Sequence, residues 1–181
     1  KVYLIAGENS GDYLGSELMS GLRKLYSDIQ FFGVGGPLME ESGLSSLFPM
    51  NELSLMGIFE IIPKLPSLIK RKNEVINNII SIKPDILITI DSPDFTLRIA
   101  KAVKRKTNIK IIHYVAPTVW AWRKGRARRM KKYIDHVLAL FPFEPKILEK
   151  SGLKSHFVGH PITTSLIATS SEISKFRDKH N

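Results

Sequence analysis

Apolar runs of strand length alternate with helix-like stretches along this chain, and no other feature constrains its fold as much. Val2–Ala6 is apolar throughout and reads as a buried strand. Gly7-Glu8-Asn9-Ser10-Gly11-Asp12 then turns the chain into a helix that sets Leu14, Leu18, Leu22 and Leu25 on one face. Phe31–Val34 is a second strand, followed by Gly35-Gly36-Pro37 and a short helix to about Ser42. Residues 64–82 form a longer helical stretch that Pro84 ends, and Ile86–Ile90 is the next buried strand. Residues 95–106 read as a helix, 109–115 as a strand, 123–133 as a basic helix and 137–141 as a strand. A short helix over 144–150 stops near Gly152, and 156–158 is a last short strand. Strands that are apolar on successive residues must be covered on both faces, as in a parallel sheet between two layers of helices. The expected class is therefore α/β: a doubly wound, Rossmann-like domain.

Composition bounds the partners. The 181 residues suit one domain, and a 43% hydrophobic content suffices for its core. Without cysteine, disulfides and thiolate metal sites are excluded. The net charge of +10 favours an anionic partner: nucleic acid, a phosphorylated ligand or an acidic bilayer. No run approaches the roughly 18 apolar residues needed to span a bilayer, and the first run is too short for a signal peptide. A soluble or peripheral cytoplasmic protein is the default expectation. The chain opens on Lys1 rather than methionine, so an initial segment is expected upstream. Near the other end, Thr169-Ser170-Ser171-Glu172 has the pattern of a capping box. The element it opens is either cut short or a frayed tail.

Several segments have residues suited to chemistry. Gly7, Glu8, Asn9, Ser10, Gly11 and Asp12 lie between a strand and a helix N-terminus, where backbone N–H groups favour anions. The pattern is neither GxGxxG nor a P-loop, so a nicotinamide-type enzyme is disfavoured and a plain tight turn competes with ligand contact. Asp91-Ser92-Pro93-Asp94-Phe95 follows a buried strand, at the carboxyl end where open α/β sheets place ligands. Either carboxylate suits a general base; Asp94 is better explained as a helix cap, whereas Pro93 separates Asp91 from that role. His113 heads a segment containing Trp120, Trp122 and Arg123. Tryptophan offers a sugar a flat apolar face and a donor. Core packing of one tryptophan, and a structural histidine, are the competing readings.

Residues 123–132, Arg-Lys-Gly-Arg-Ala-Arg-Arg-Met-Lys-Lys, contain no acid. They read as a solvated face, or as a contact for nucleic acid, lipid head groups or a substrate phosphate. Ile58, Phe59, Ile61 and Ile62 precede Lys70, Arg71 and Lys72. That arrangement suits an interfacial element or an ordinary helix facing the sheet.

Taken in order, AGENSGDYLG (6–15), FFGVGGPLMEESG (31–43), LMGIFEIIPKLP (55–66), DSPDF (91–95), IIHYVAPTVWAWR (111–123), LALFPFEP (138–145) and FVGHP (157–161) resemble the lipid-A-disaccharide synthases. The resemblance implies a GT-B glycosyltransferase, of which residues 1–161 form the N-terminal, acceptor-side Rossmann-like domain. Residues 162–181 begin a linker or helix towards a C-terminal domain that the chain lacks. It implies transfer of 2,3-diacylglucosamine from UDP-diacylglucosamine to diacylglucosamine 1-phosphate, giving a β-1′,6 disaccharide and UDP. The base that deprotonates the acceptor 6-hydroxyl falls on Asp91, with inversion at the anomeric carbon. No metal and no cofactor are implied, and no nucleic-acid partner. Family members sit peripherally on the inner face of the inner membrane, which turns Ile58, Phe59, Ile61, Ile62, Lys70, Arg71 and Lys72 into membrane-contact candidates. They exchange C-terminal elements between subunits, so a homodimer is allowed. An inactive acceptor- or membrane-binding fragment is the alternative for a chain of this length.

Overall fold

A computed structural model describes residues 1–53, 58–117, 125–164 and 167–180, with 58–64 and 126 as backbone only. Its centre is a parallel sheet built from β1 (Val2–Ala6), β2 (Phe31–Val34), β3 (Ser45–Ser46), β4 (Ile86–Ile90), β5 (Lys110–Tyr114), β6 (His136–Ala139) and β7 (Ser155–Phe157). The strand order is β3-β2-β1-β4-β5-β6-β7. Val2 pairs with Phe31 on one side and with Ile86 on the other. The helices are α1 (Asn9–Leu25), α2 (Pro37–Glu41), α3 (Ile58–Ile82), α4 (Pro93–Lys106), α5 (Gly125–Met130), α6 (Glu144–Glu149) and α7 (Ser170–His180). Parallel crossovers are right-handed. The chain leaves β1 towards β2 and later leaves β4 towards β5 in the opposite direction, so α1 and α2 cover one face and α3 to α6 the other. In agreement, α1 packs on α2 and α3 on α4.

The doubly wound expectation is met, and the reason is visible in β1, which is buried at every position. Tyr3, Leu4 and Ile5 are completely enclosed, with Leu87 and Ile90 of β4, Ile111 of β5, Met19 of α1, and Ile79 and Ile99 of α3 and α4. Each such aliphatic side chain contributes about 1.5–3 kcal/mol by leaving water. The polar tip of Tyr3 is satisfied too: its hydroxyl donates to Asn78 Oδ1 at 2.8 Å, tying β1 to α3.

Several boundaries differ from the sequence reading. The longer helix begins at Ile58 instead of residue 64 and runs through Pro63 and Pro66. Two missing N–H groups weaken its first turns without ending it. Helix α4 starts at Pro93, whose fixed φ suits a first helical position, rather than at residue 95. Helix α5 stops at Met130, and the next residues form a turn. Strand β3 is two serines long and has no apolar pattern to announce it. The capping box forms as read: Thr169 donates through N and Oγ1 to Glu172 Oε2, both at 2.8 Å, and Glu172 N donates back to Thr169 Oγ1.

Candidate active site

Strand order reverses between β1 and β4, because their chains depart in opposite directions. In an open α/β sheet the crevice outside the carboxyl ends at such a point is where ligands bind. Ala6 pairs with Ile90, so Gly7 and Glu8 leave the sheet beside Asp91 and Ser92. Residues 84 apart in sequence thus meet: Ser92 Oγ donates to Glu8 Oε1 at 3.1 Å. Glycine at position 7 allows the close approach, since a Cβ there would sit 2.8 Å from Ser92 Oγ and force that side chain to shift.

The β4–α4 connection is unusual. Asp91 and Ser92 are both left-handed, with φ of 48° and 40°. The left-handed region costs an L-residue roughly 1–2 kcal/mol. The surroundings impose it. Asp91 N donates to Tyr114 O at 3.0 Å, and Thr96 Oγ1 donates to Asp91 O at 2.8 Å and to Ser92 O at 3.1 Å. Strain held in this way gathers at functional sites. It leaves the half-buried Asp91 carboxyl near enough to Glu8 to feel its charge. Burial, and then the Glu8 charge, push that carboxyl above the ordinary aspartate range, against a backbone hydrogen bond from Ser92. A carboxylate of raised basicity at a ligand crevice suits general-base work. On the neighbouring strand, Val115 has φ of 78°, abnormal for a β-branched residue, and its N–H donates to Leu138 O.

The remaining candidates divide. Asn9 and Ser10 are exposed in the first turn of α1, beside Glu8 at the crevice. Gly11 is buried, where a Cβ would meet Ala6 Cβ at 3.3 Å. Asp12 points away from the crevice. It is 3% exposed, and its carboxylate accepts from Gly36 N at 2.9 Å, Leu38 N at 3.0 Å and Met39 N at 3.0 Å. It caps α2, whose own N-cap residue, Gly36, has no side chain to do so. Asp94 is exposed in the first turn of α4, where a negative charge is favourable, though Ser92 holds the cap position. His113 is fully buried, and its Nδ1 meets Thr89 Oγ1 at 2.8 Å inside the sheet. Trp120, Trp122 and Arg123 lie outside the described residues, in the connection that leaves β5.

For the membrane-contact candidates, Ile58, Phe59, Ile61 and Ile62 begin α3 and their side chains are outside the described set. Lys70 is exposed and Lys72 half-buried. Arg71 is held internally: it makes a bidentate pair with Glu52 at 2.7 Å, a third bond to Glu74 at 2.7 Å, and covers the Phe48 ring at 4.5 Å. It clamps α3 to the Met50–Glu52 turn rather than projecting outwards. The Arg71 hydrogen bonds hold the Glu52 carboxyl below its usual range. No helix among the described residues is long and apolar enough to cross a membrane.

One feature carried no role in the sequence. Phe141 and Phe143, 48% and 47% exposed, stack at 5.7 Å between ring centroids on the loop after β6. Glu144, 4% exposed, fastens that loop by accepting from Phe141 N at 2.9 Å, and burial pushes its carboxyl above its usual range. That loop leaves the carboxyl end of β6, two strands along the sheet from β4 and the Asp91 turn. Two phenylalanines flanking Pro142, with the buried glutamate just beyond, were the available signal.

The sequence profile of the family described as lipid-A-disaccharide synthetase matches residues 2–180. A lipid-A-disaccharide synthase of Ruegeria pomeroyi is 55% identical over 177 residues, covering 98% of this chain and 44% of its own length. One from Rhodospirillum centenum is 48% identical, covering 99% of this chain and 45% of its own. One from Pseudomonas aeruginosa is 48% identical over 166 residues, 92% of this chain and 44% of its own. The chain thus spans a little under half the length of these curated relatives. The crystal structure of Acinetobacter baumannii MurG aligns with a TM-score of 0.49 and 11% identity over 78% of this chain and 40% of its own.

Proposed function

The chain belongs to the lipid-A-disaccharide synthetase family, and from that membership and the β1–β4 crevice we propose that it is the acceptor-side half of a glycosyltransferase. The transferred group is 2,3-diacylglucosamine, the donor its UDP derivative and the acceptor 2,3-diacylglucosamine 1-phosphate. Asp91 takes the proton from the acceptor 6-hydroxyl while that oxygen forms a bond to the anomeric carbon. The bond from that carbon to UDP breaks with inversion, releasing UDP. The observation that carries this reading is the Asp91 carboxyl itself: held in a left-handed turn at the switch point and made more basic by burial and Glu8. Glu8 and Ser92 orient the acceptor beside it, with Asn9 and Ser10 in reach of its polar groups. The stacked Phe141–Phe143 pair supplies a flat apolar surface for an acyl chain.

The substrates are acylated, so the reading includes peripheral attachment to the inner face of the inner membrane through the start of α3, with Lys70 and Lys72 alongside. Replacement of Ile58, Phe59, Ile61 and Ile62 by serine is expected to weaken liposome binding. Unchanged binding with the fold intact excludes that element. A second reading of the same crevice is acceptor binding without turnover; the chain spans 44–45% of the length of the curated relatives it matches.

The test is UDP release from donor plus acceptor in mixed micelles, run beside acceptor binding. Release that falls on the order of 10²–10⁴-fold in Asp91→Asn supports the base role. Acceptor binding without release supports the second reading. A folded chain that does neither refutes both.

A further inference from the structure

The basic residues of α4 and of the end of α5 converge on one hollow. Lys101, Lys104 and Arg105 from α4, with Arg129, Lys132 and Tyr133 from α5 and the turn after it, line a depression of about 290 Å³. Lys104 is neutralised: its ammonium donates to both Asp135 oxygens, at 2.9 and 2.7 Å. Asp135 is itself filled, since Oδ2 also accepts from Ile111 N at 2.8 Å. Among the described residues, Lys101, Arg105, Arg129 and Lys132 have no acid within ion-pair distance. A solvated helix face accounts for a basic run on one helix. Favourable placement at a helix C-terminus accounts for Lys104 and Arg105. Neither accounts for unpaired cations from two elements turned towards the same small concavity, where like charges repel unless an anion sits among them.

The hollow is separate from the Asp91 crevice. Arg105 lies 11 residues along α4 from Asp94, about 16 Å at the helical rise. It is on the sheet face covered by α3 to α6, the same face as the membrane segment proposed above.

We propose that this hollow is a phosphate site and that its occupant is the head group of an anionic lipid. Arg105 and Arg129 grip the phosphate oxygens, Lys101 and Lys132 add charge at the rim, and Lys104 is held in place by Asp135. This rests on the membrane part of the proposed function, and adds the demand that attachment depends on lipid charge at one site.

The experiment is co-sedimentation with phosphatidylcholine vesicles, with and without phosphatidylglycerol, for the wild type, the double variant Arg105→Gln/Arg129→Gln, and Lys146→Gln/Lys150→Gln on α6 and its C-terminal cap. The two variants lose equal charge from exposed positions, and far-UV circular dichroism with melting checks each fold. The groove variant is expected to lose binding to the anionic vesicles by roughly 10- to 30-fold, at about one decade or less per basic residue. The α6 variant should lose only a few-fold of it. Equal losses in both mean diffuse attraction and overturn the site, as does no loss in the groove variant. A third arm titrates glycerol 1-phosphate. If the groove mutations abolish that binding but leave the vesicles bound, the site takes a free phosphate and the lipid assignment is overturned. A wild type that ignores vesicles of either composition overturns the lipid site together with the membrane reading. A wild type that binds anionic vesicles undiminished by the groove mutations sinks the site alone.

Discussion

Asp12 gives the sharpest test of the division between crevice and scaffold. It lies in the same glycine-rich loop as Glu8, yet it is buried with one carboxylate accepting three backbone N–H groups at the start of α2. Hydrogen bonds to a charged acceptor contribute about 1.5–3 kcal/mol each when taken singly, and less than their sum when they share one group. In Asp12→Ala a water that enters the hole accepts two N–H groups, leaving one donor buried and unpaired. The expected loss is about 4 kcal/mol. Asp12→Asn keeps the oxygen that serves Gly36 and Met39 but turns an NH2 towards the N–H of Leu38, donor against donor, for a loss of about 2 kcal/mol. A chain of this size moves roughly 2–4 °C in Tm per kcal/mol, so the alanine variant should melt about 8–16 °C lower and the asparagine variant about half as far. Thermal and urea unfolding read the effect, and acceptor binding is measured below both transitions. An asparagine variant that melts with the wild type but has lost acceptor affinity refutes the structural assignment and returns Asp12 to the ligand.

Asp91 should behave in the opposite sense. Burial and then Glu8 raise its folded-state pKa, so the stability associated with its protonated form is present below the unfolded pKa and is lost as pH rises through the folded one. Asp91→Asn is therefore expected to melt above the wild type at neutral pH, with the gap closing as pH falls into the ordinary aspartate range; a lower melting point at neutral pH contradicts the raised pKa. For the same reason the acid limb of any turnover should lie above the normal aspartate range in a pH–rate profile. Gly7→Ala should cost about 1–2 kcal/mol by overpacking against Ser92, and Ser92→Gly in the same chain should recover most of it; melting curves of the single and double variants decide. Phe141→Ala with Phe143→Ala should change stability by no more than about 1 kcal/mol, since both rings are exposed. It should weaken long-acyl acceptors more than short ones in a binding titration, and equal weakening removes the pair from the acyl path.

By itself, the sequence determined the class of fold. A strand such as Val2–Ala6, apolar at every position, has no stable place except a sheet covered on both sides, and that follows from local composition alone. The capping box at Thr169 was equally legible, because its partners lie three residues apart. So was the place of Asp91 outside the following helix, through the proline two residues on, and the likeness to one family, through its ordered motifs. The tertiary structure decided what long-range pairing decides. The approach of Glu8 to Ser92 exists because β1 and β4 are neighbours, and strand order is not written in either strand. Asp12 and Arg71 bear charge in segments that read as functional. Whether such a charge faces a ligand, a bilayer or another part of the chain depends on partners 27 and 19 residues away. For Asp12, 3% exposed, burial makes those partners obligatory, because a buried charge without hydrogen bonds costs more than any surface role returns. The sequence gives each element its inner face; packing alone settles which polar group the turn at its end must satisfy.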